Sequence, residues 1–151
     1  VTDGPDKGSV QKETVFTVKN IKYKVAGSDS VIVSAPVKKI LASVSIPAKV
    51  TYGGKTYKVT GIAAKAFRNN KKLAKITLGK NIASIGKNAF SGCMRLKKIN
   101  LLSVKIKAAG KSCFKSVNGN AVITVPRAKY KYYVKLFKKT GLGKGVKYKT
   151  R

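Results

Sequence analysis

The sequence contains no histidine and no tryptophan, only four acidic residues, two cysteines and one methionine in 151 residues. Without imidazole there is no Ser-His-Asp or Cys-His nucleophilic relay and no histidine-ligated zinc. The four acids, Asp3, Asp6, Glu13 and Asp29, all precede residue 30, so the rest of the chain offers no carboxylate pair for glycoside hydrolysis. Two thiols without other ligands do not make a metal site. The glycines of Gly141-Leu-Gly143-Lys-Gly145 are too close together, with no helix after them, to form a phosphate loop, and read as a helix terminator and turn. No apolar run approaches the roughly 18 residues of a membrane span. The expectation is a protein that is not an enzyme, uses no cofactor or metal and does not insert into a membrane.

Positive charge is what the chain has in excess: 34 Lys and Arg give a formal net charge of +30. Five of the 34 lie before residue 30, so residues 30–151 carry 29 basic side chains and no acidic one. Such a field attracts nucleic acid, lipid headgroups, anionic wall polymers and acidic or sulfated glycans. Only four of the basic residues are arginine, the side chain whose planar fork suits base edges and bidentate phosphate contacts. The charge therefore reads as a non-specific polycation at most. Equally, it reads as a solvated basic surface neutralised by another domain or the cell wall.

The chain repeats itself. The anchors Val59, Ile62, Ala66, Phe67, Leu73, Ile76 and Leu78 recur 23 residues later as Ile82, Ile85, Ala89, Phe90, Leu96, Ile99 and Leu101. A worn third copy, 24 residues on, keeps Ile106, Ala109, Cys113, Phe114, Ile123 and Val125 but has Asn120 in the leucine slot. Towards the N-terminus, Val44-Ser-Ile46 and Val50 match Ile76-Thr-Leu78 and Ile82, with nine residues inserted before the next phenylalanine. That insertion carries Tyr52-Gly-Gly-Lys-Thr-Tyr57, a hairpin signal.

Within each unit, Ile76-Thr77-Leu78 and Ile99-Asn100-Leu101 alternate with strand period, which turns Thr77 and Asn100 away from the core. The strands are expected to stack in parallel. The Ala-Phe pairs fall in bends rich in Asn, Gly and Ser, read as one turn of helix, with Phe90 stacked between Phe67 and Phe114. A single unit cannot bury its own apolar face, so about three or four stacked units need caps. Val15–Val18 and Ile21–Val25 read as an N-terminal hairpin. Beyond Pro126, Tyr130, Tyr133, Val134 and Phe137 share one helix face, Gly141 ends that helix, and 145–150 is strand-like. Residues 1–13, with Gly4, Pro5 and Gly8, read as a linker. The division is thus a single domain over 14–151, with an N-terminal β cap and degenerate repeat (14–58), repeats (59–126) and a C-terminal cap (127–151).

The run Ile85-Gly86-Lys-Asn-Ala89-Phe90-Ser-Gly92-Cys93-Met-Arg-Leu96-Lys-Lys-Ile99-Asn-Leu101 resembles the BspA-like (Treponema-type) leucine-rich repeat. The copy at 59–81 has Ala63 and Asn70 where the pattern has Gly and Cys, so the resemblance covers about 44–126. It implies a strand-dominated α/β leucine-rich-repeat solenoid, bacterial origin, export, and display on a cell surface, with proposed roles in adhesion. It implies no chemistry and no fixed ligand. The chain begins at Val1 rather than Met, the pattern of a processed or trimmed piece whose signal peptide lies outside it. Secretion or surface location is the expectation.

Three readings of function compete. The first is a surface binding module that meets a protein or glycan ligand on its strand face, through Lys75, Thr77, Lys98, Asn100 and Thr124. Tyr132, off the core-facing side of the terminal helix, joins that set as a possible stacking platform for a base or sugar. The second is a polyanion binder whose lysine-rich surface is the function, and the third a spacer or capping unit of a larger surface protein. Cys93 and Cys113 occupy different slots of adjacent units, so both are read as buried, free thiols despite export.

Overall fold

The computed structural model describes residues 14–37 and 41–151; the linker expected over 1–13 lies outside the described residues. The N-terminal hairpin pairs β1 (Val15–Val18) with β2 (Ile21–Val25) in antiparallel register. Its two-residue turn places Lys19 and Asn20 at φ 49° and 69°, the left-handed pair that matches the twist of a tight hairpin. Alternation buries Ile21, Tyr23 and Val25 and exposes Lys22 and Lys24. The inserted segment is likewise a hairpin, β5 (Lys49–Tyr52) against β6 (Lys55–Ile62), turning on Gly53 and Gly54 at φ 60° and 78°. Tyr52 stacks on Phe16 with ring centroids 4.3 Å apart, tying insertion to cap.

The chain then coils between two sheets. One runs β1-β2-β3-β6-β8-β10 with β5 beside β6, where β3 is Ser30–Pro36, β8 Ser84–Ile85 and β10 Ala108–Ala109. The other is wholly parallel, with five strands: β4 (Ser43–Ile46), β7 (Lys75–Leu78), β9 (Lys98–Leu101), β11 (Val122–Val125) and β12 (Lys147–Thr150). Ile76, Ile99 and Ile123 are register partners, and these with Leu78, Leu101 and Val125 are fully buried between the sheets. The solenoid expected from the repeats is therefore present, with β12 adding a rung after the cap helix.

The bends differ from expectation. No helix forms around the Ala-Phe pairs; each bend is a run of turns with two left-handed residues. Lys65, Asn88 and Ser112 precede the pair at φ 62°, 58° and 60°, and Asn69, Gly92 and Ser116 follow it at 59°, 82° and 64°. Left-handed backbone turns N–H groups out of the local turn, and here they reach the next coil. Phe67 N donates to Ala89 O (2.7 Å), Phe90 N to Cys113 O (2.8 Å) and Asn69 N to Ser91 O (2.8 Å). Asn, Ser and Gly in the bends thus mark left-handed positions, not helix starts.

Within these bends the phenyl rings form the predicted spine. Phe67 and Phe90 stack at 5.2 Å, Phe90 and Phe114 at 5.5 Å, and Phe137 closes the row edge-on at 5.7 Å. Phe137 belongs to a 3-10 turn, Phe137–Thr140, continuing helix α1 (Tyr130–Leu136) and ending at Gly141 with φ 89°. Tyr133 and Phe137 are buried as their spacing predicts. Tyr130 departs from that reading: as the first residue of a seven-residue helix it lies at the rim, 39% exposed, with its ring edge-on to Tyr148.

Gly86 and Gly110 repeat because coils touch there: a Cβ on either would stand 2.4 Å from a backbone nitrogen of the preceding coil. Asn70 occupies the slot that Cys93 fills in the next coil. It is fully buried, and neither polar atom of its amide finds a partner among the described residues. A buried amide without partners costs about 1–3 kcal/mol, so Asn70→Cys should raise stability by about 1 kcal/mol in chemical denaturation; an unchanged or lower midpoint would contradict this. Phe90→Ala removes the middle of the ring row and should cost about 3–5 kcal/mol. A variant melting within a degree or two of the parent would show that the spine does not carry the stack.

Candidate functional site

The parallel sheet turns alternate side chains outward, and register aligns them across rungs. One row is Ser45, Thr77, Asn100, Thr124 and Lys149; the other is Ser43, Lys75, Lys98, Val122 and Lys147. All five strand residues singled out from the sequence, Lys75, Thr77, Lys98, Asn100 and Thr124, are thus brought onto one face. Lys75 and Lys98 are exposed, while Thr77, Asn100 and Thr124 are half-buried. Asn100 Nδ2 donates to Thr77 Oγ1 at 3.4 Å, linking adjacent rungs. A shallow concavity of about 290 Å³ opens beside them, with Asn120 and Lys149 on its rim.

Tyr132 is not part of this face. It sits on α1 against the other sheet, with Lys129 Nζ 5.4 Å from its ring centre, in a separate groove. Conversely, Lys147 and Lys149 belong to the face but were not singled out. Their strand alternation is legible, but Tyr148 follows its partner Ile123 by 25 residues across a helix, outside the 23–24-residue period.

Chemically the face is rich in donors. Rungs lie about 4.8 Å apart, so Lys75 and Lys98 are neighbouring like charges, an arrangement that is unfavourable unless an anion joins them. Asp29, exposed after β2, is the one acidic side chain among the described residues. The hydroxyls of Thr77 and Thr124 and the amide of Asn100 supply acceptors as well as donors. Among the described residues no group of three or more His, Cys, Asp or Glu side chains gathers to hold a metal ion, and no helix is long and apolar enough to cross a membrane.

The thiols are buried and unpaired. Cys93 Sγ donates to Phe67 O at 3.0 Å. Burial pushes the Cys93 pKa up to about 11 and that of Cys113 up to about 12, from an ordinary 9.0, so neither is a nucleophile at neutral pH.

A sequence profile of the BspA type leucine rich repeat region matches residues 41–148 in six copies. The chain belongs to this family. Among solved structures, a leucine-rich repeat protein from Bacteroides capillosus aligns with TM-score 0.71 at 21% identity, over 92% of this chain and 99% of that one. A leucine rich cell surface protein from Faecalibacterium prausnitzii aligns with TM-score 0.64 at 18% identity, over 91% of this chain and 43% of that one. The Treponema pallidum leucine rich repeat protein gives 0.53 at 22%, over 92% and 64%. This chain therefore spans less than half the length of the Faecalibacterium protein. No curated protein matches the sequence.

Native protein at pH 8 should resist alkylation by iodoacetamide, whereas denatured protein should take up two groups per chain, one at each thiol. Because both folded pKa values lie above the ordinary thiol value, the stability held in the neutral thiols is intact below about pH 9 and is lost as pH rises towards 11 and 12. Rapid native labelling, or a mass two protons short, would overturn the assignment.

Proposed function

We propose that this chain is a non-catalytic binding or adhesion module of a secreted or cell-surface protein, meeting a protein or glycan ligand on its parallel strand face. The observation that carries the reading is the pair of in-register rows, in which Lys75 and Lys98 stand beside Thr77, Asn100 and Thr124 on a rigid sheet. Packing fixes the backbone beneath them, so little ordering entropy is lost when a ligand docks. Membership of the family, and a neighbour described as a cell surface protein, support the setting. The separate placement of Tyr132 removes it from this site.

A polyanion-binding role is favoured by one specific observation, the net charge of +30. The two readings differ in how binding responds to salt and to position. Charge-driven binding falls steeply with salt and declines in similar steps whichever lysines are neutralised. A strand-face ligand resists physiological salt and depends on the rows.

The test begins with extracellular-matrix proteins and with neutral and acidic glycans screened in 0.15 M salt. Thr77→Glu with Asn100→Glu is then compared with Lys135→Glu plus Lys139→Glu, two exposed positions of the cap. The cap variant changes net charge by four units against two. The strand-face reading expects the larger loss, about tenfold or more, from Thr77→Glu/Asn100→Glu. Equal or greater loss from the cap variant would favour the polycation and leave the strand face without support.

A further inference from the structure

The groove that holds Tyr132 is a second concave surface, on the opposite sheet from the strand face. It encloses about 400 Å³ and crosses three coils. Its floor is the backbone ladder Thr60, Ala83, Lys107, in which Ala83 N donates to Thr60 O at 2.8 Å and Lys107 N to Ala83 O at 2.9 Å. Lys58, Asn81 and Lys105 stand along it, and Lys129 and Tyr132 of the cap close one end.

Two features give this groove a fixed shape. The wall after β9 is pinned from both sides: Tyr133 Oη donates to Ser103 O at 2.6 Å and accepts from Ile106 N at 3.2 Å, while Ser103 Oγ donates to Ile82 O at 2.6 Å. Burial raises the Tyr133 pKa, keeping that hydroxyl a donor. Two of the ammonium groups are also oriented in advance. Lys105 Nζ donates to Asn81 Oδ1 at 3.1 Å, and Lys129 Nζ rests 5.4 Å from the centre of the Tyr132 ring.

We propose that this groove binds an acidic glycan chain. Its lining combines four lysines with an exposed apolar platform, Val104 at 48% and Tyr132 at 46% exposure. A uronate-bearing sugar presents the complementary set: an apolar C–H face for the platform, hydroxyls for Thr60 and Asn81, and a carboxylate for Lys105 and Lys107. Three coils at about 4.8 Å span about 10 Å, the length of a disaccharide. Single-stranded nucleic acid fits less well, because it is held by successive stacking platforms. Here a single ring is offered.

Titration calorimetry with tetragalacturonate in 0.15 M salt tests this on the intact chain. Binding is expected to the parent, with maltotetraose, an uncharged α-1,4-linked tetrasaccharide, showing none. Tyr132→Ala and Lys105→Ala, both at exposed positions, should each weaken binding about tenfold, and Lys135→Ala, exposed on α1 but outside the groove's lining, by less than about twofold. Thr77→Ala with Asn100→Ala should leave it unchanged, so that failure here and failure of the strand-face reading remain distinguishable. No binding of tetragalacturonate, equal loss in Lys135→Ala, or tighter Tyr132-dependent binding of a charge-matched oligothymidylate would each overturn the proposal, the last in favour of a nucleic-acid site.

Discussion

Everything in this molecule depends on one coil resting on the next in register. The phenyl row Phe67, Phe90, Phe114 and Phe137 is the clearest expression of it, because nearly parallel rings 5.2 and 5.5 Å apart tolerate little slippage. The left-handed residues on either side of each Phe serve the same end, aiming backbone N–H groups at the following coil. Gly86 and Gly110 let two backbones approach where a Cβ would collide. A slip of one residue along a strand would turn Ile76 or Ile99 outward and Thr77 or Asn100 inward. Register is therefore enforced in the bends, at the glycines and on the strands at once.

That internal enforcement explains how the chain carries its charge. Lysines crowd the surface without acidic neighbours over residues 30–151, and mutual repulsion opposes compactness. Among the described residues the interior rows are Ile, Leu, Val and Phe. Exposed positions on the rungs are thereby free of structural duty. On the parallel face the freedom yields two ordered rows, whereas around the bends it yields scattered lysines such as Lys65 and Lys87. The difference lies in geometry, since outward strand side chains are register partners from rung to rung.

What the sequence made legible follows the same division. Strand alternation and the 23-residue spacing announced the core, the ring spine and the outward rows, because each rests on a period the eye can count. The bends were misread as helix since Asn, Ser and Gly mark both helix ends and left-handed turns, and only coil-to-coil hydrogen bonding separates the two. Spacing alone points Tyr130 inward, but it stands at the start of α1, 39% exposed, with its ring edge-on to Tyr148. The strand over 145–150 is legible, but not its place as the fifth rung, because α1 lies between it and its neighbour and breaks the spacing that links Ile123 to Tyr148. Tyr132 was grouped with the strand face for its chemistry, and nothing in a linear spacing states which of two sheets a cap helix will cover.

The C-terminal cap joins these features. Phe137 ends the ring row and Tyr133, one helical turn earlier, reaches into the loop at Ser103–Ile106. The same short helix therefore finishes the core and fixes the wall of the groove. That loop leaves directly from β9, whose outward Lys98 and Asn100 stand in the middle of the parallel face. Residues 98–107 thus contribute first to one surface and then to the other, with buried Leu101 and Ser103 between them. The contacts that shape both surfaces are the contacts that close the solenoid. The two faces differ through the side chains each sheet turns outward.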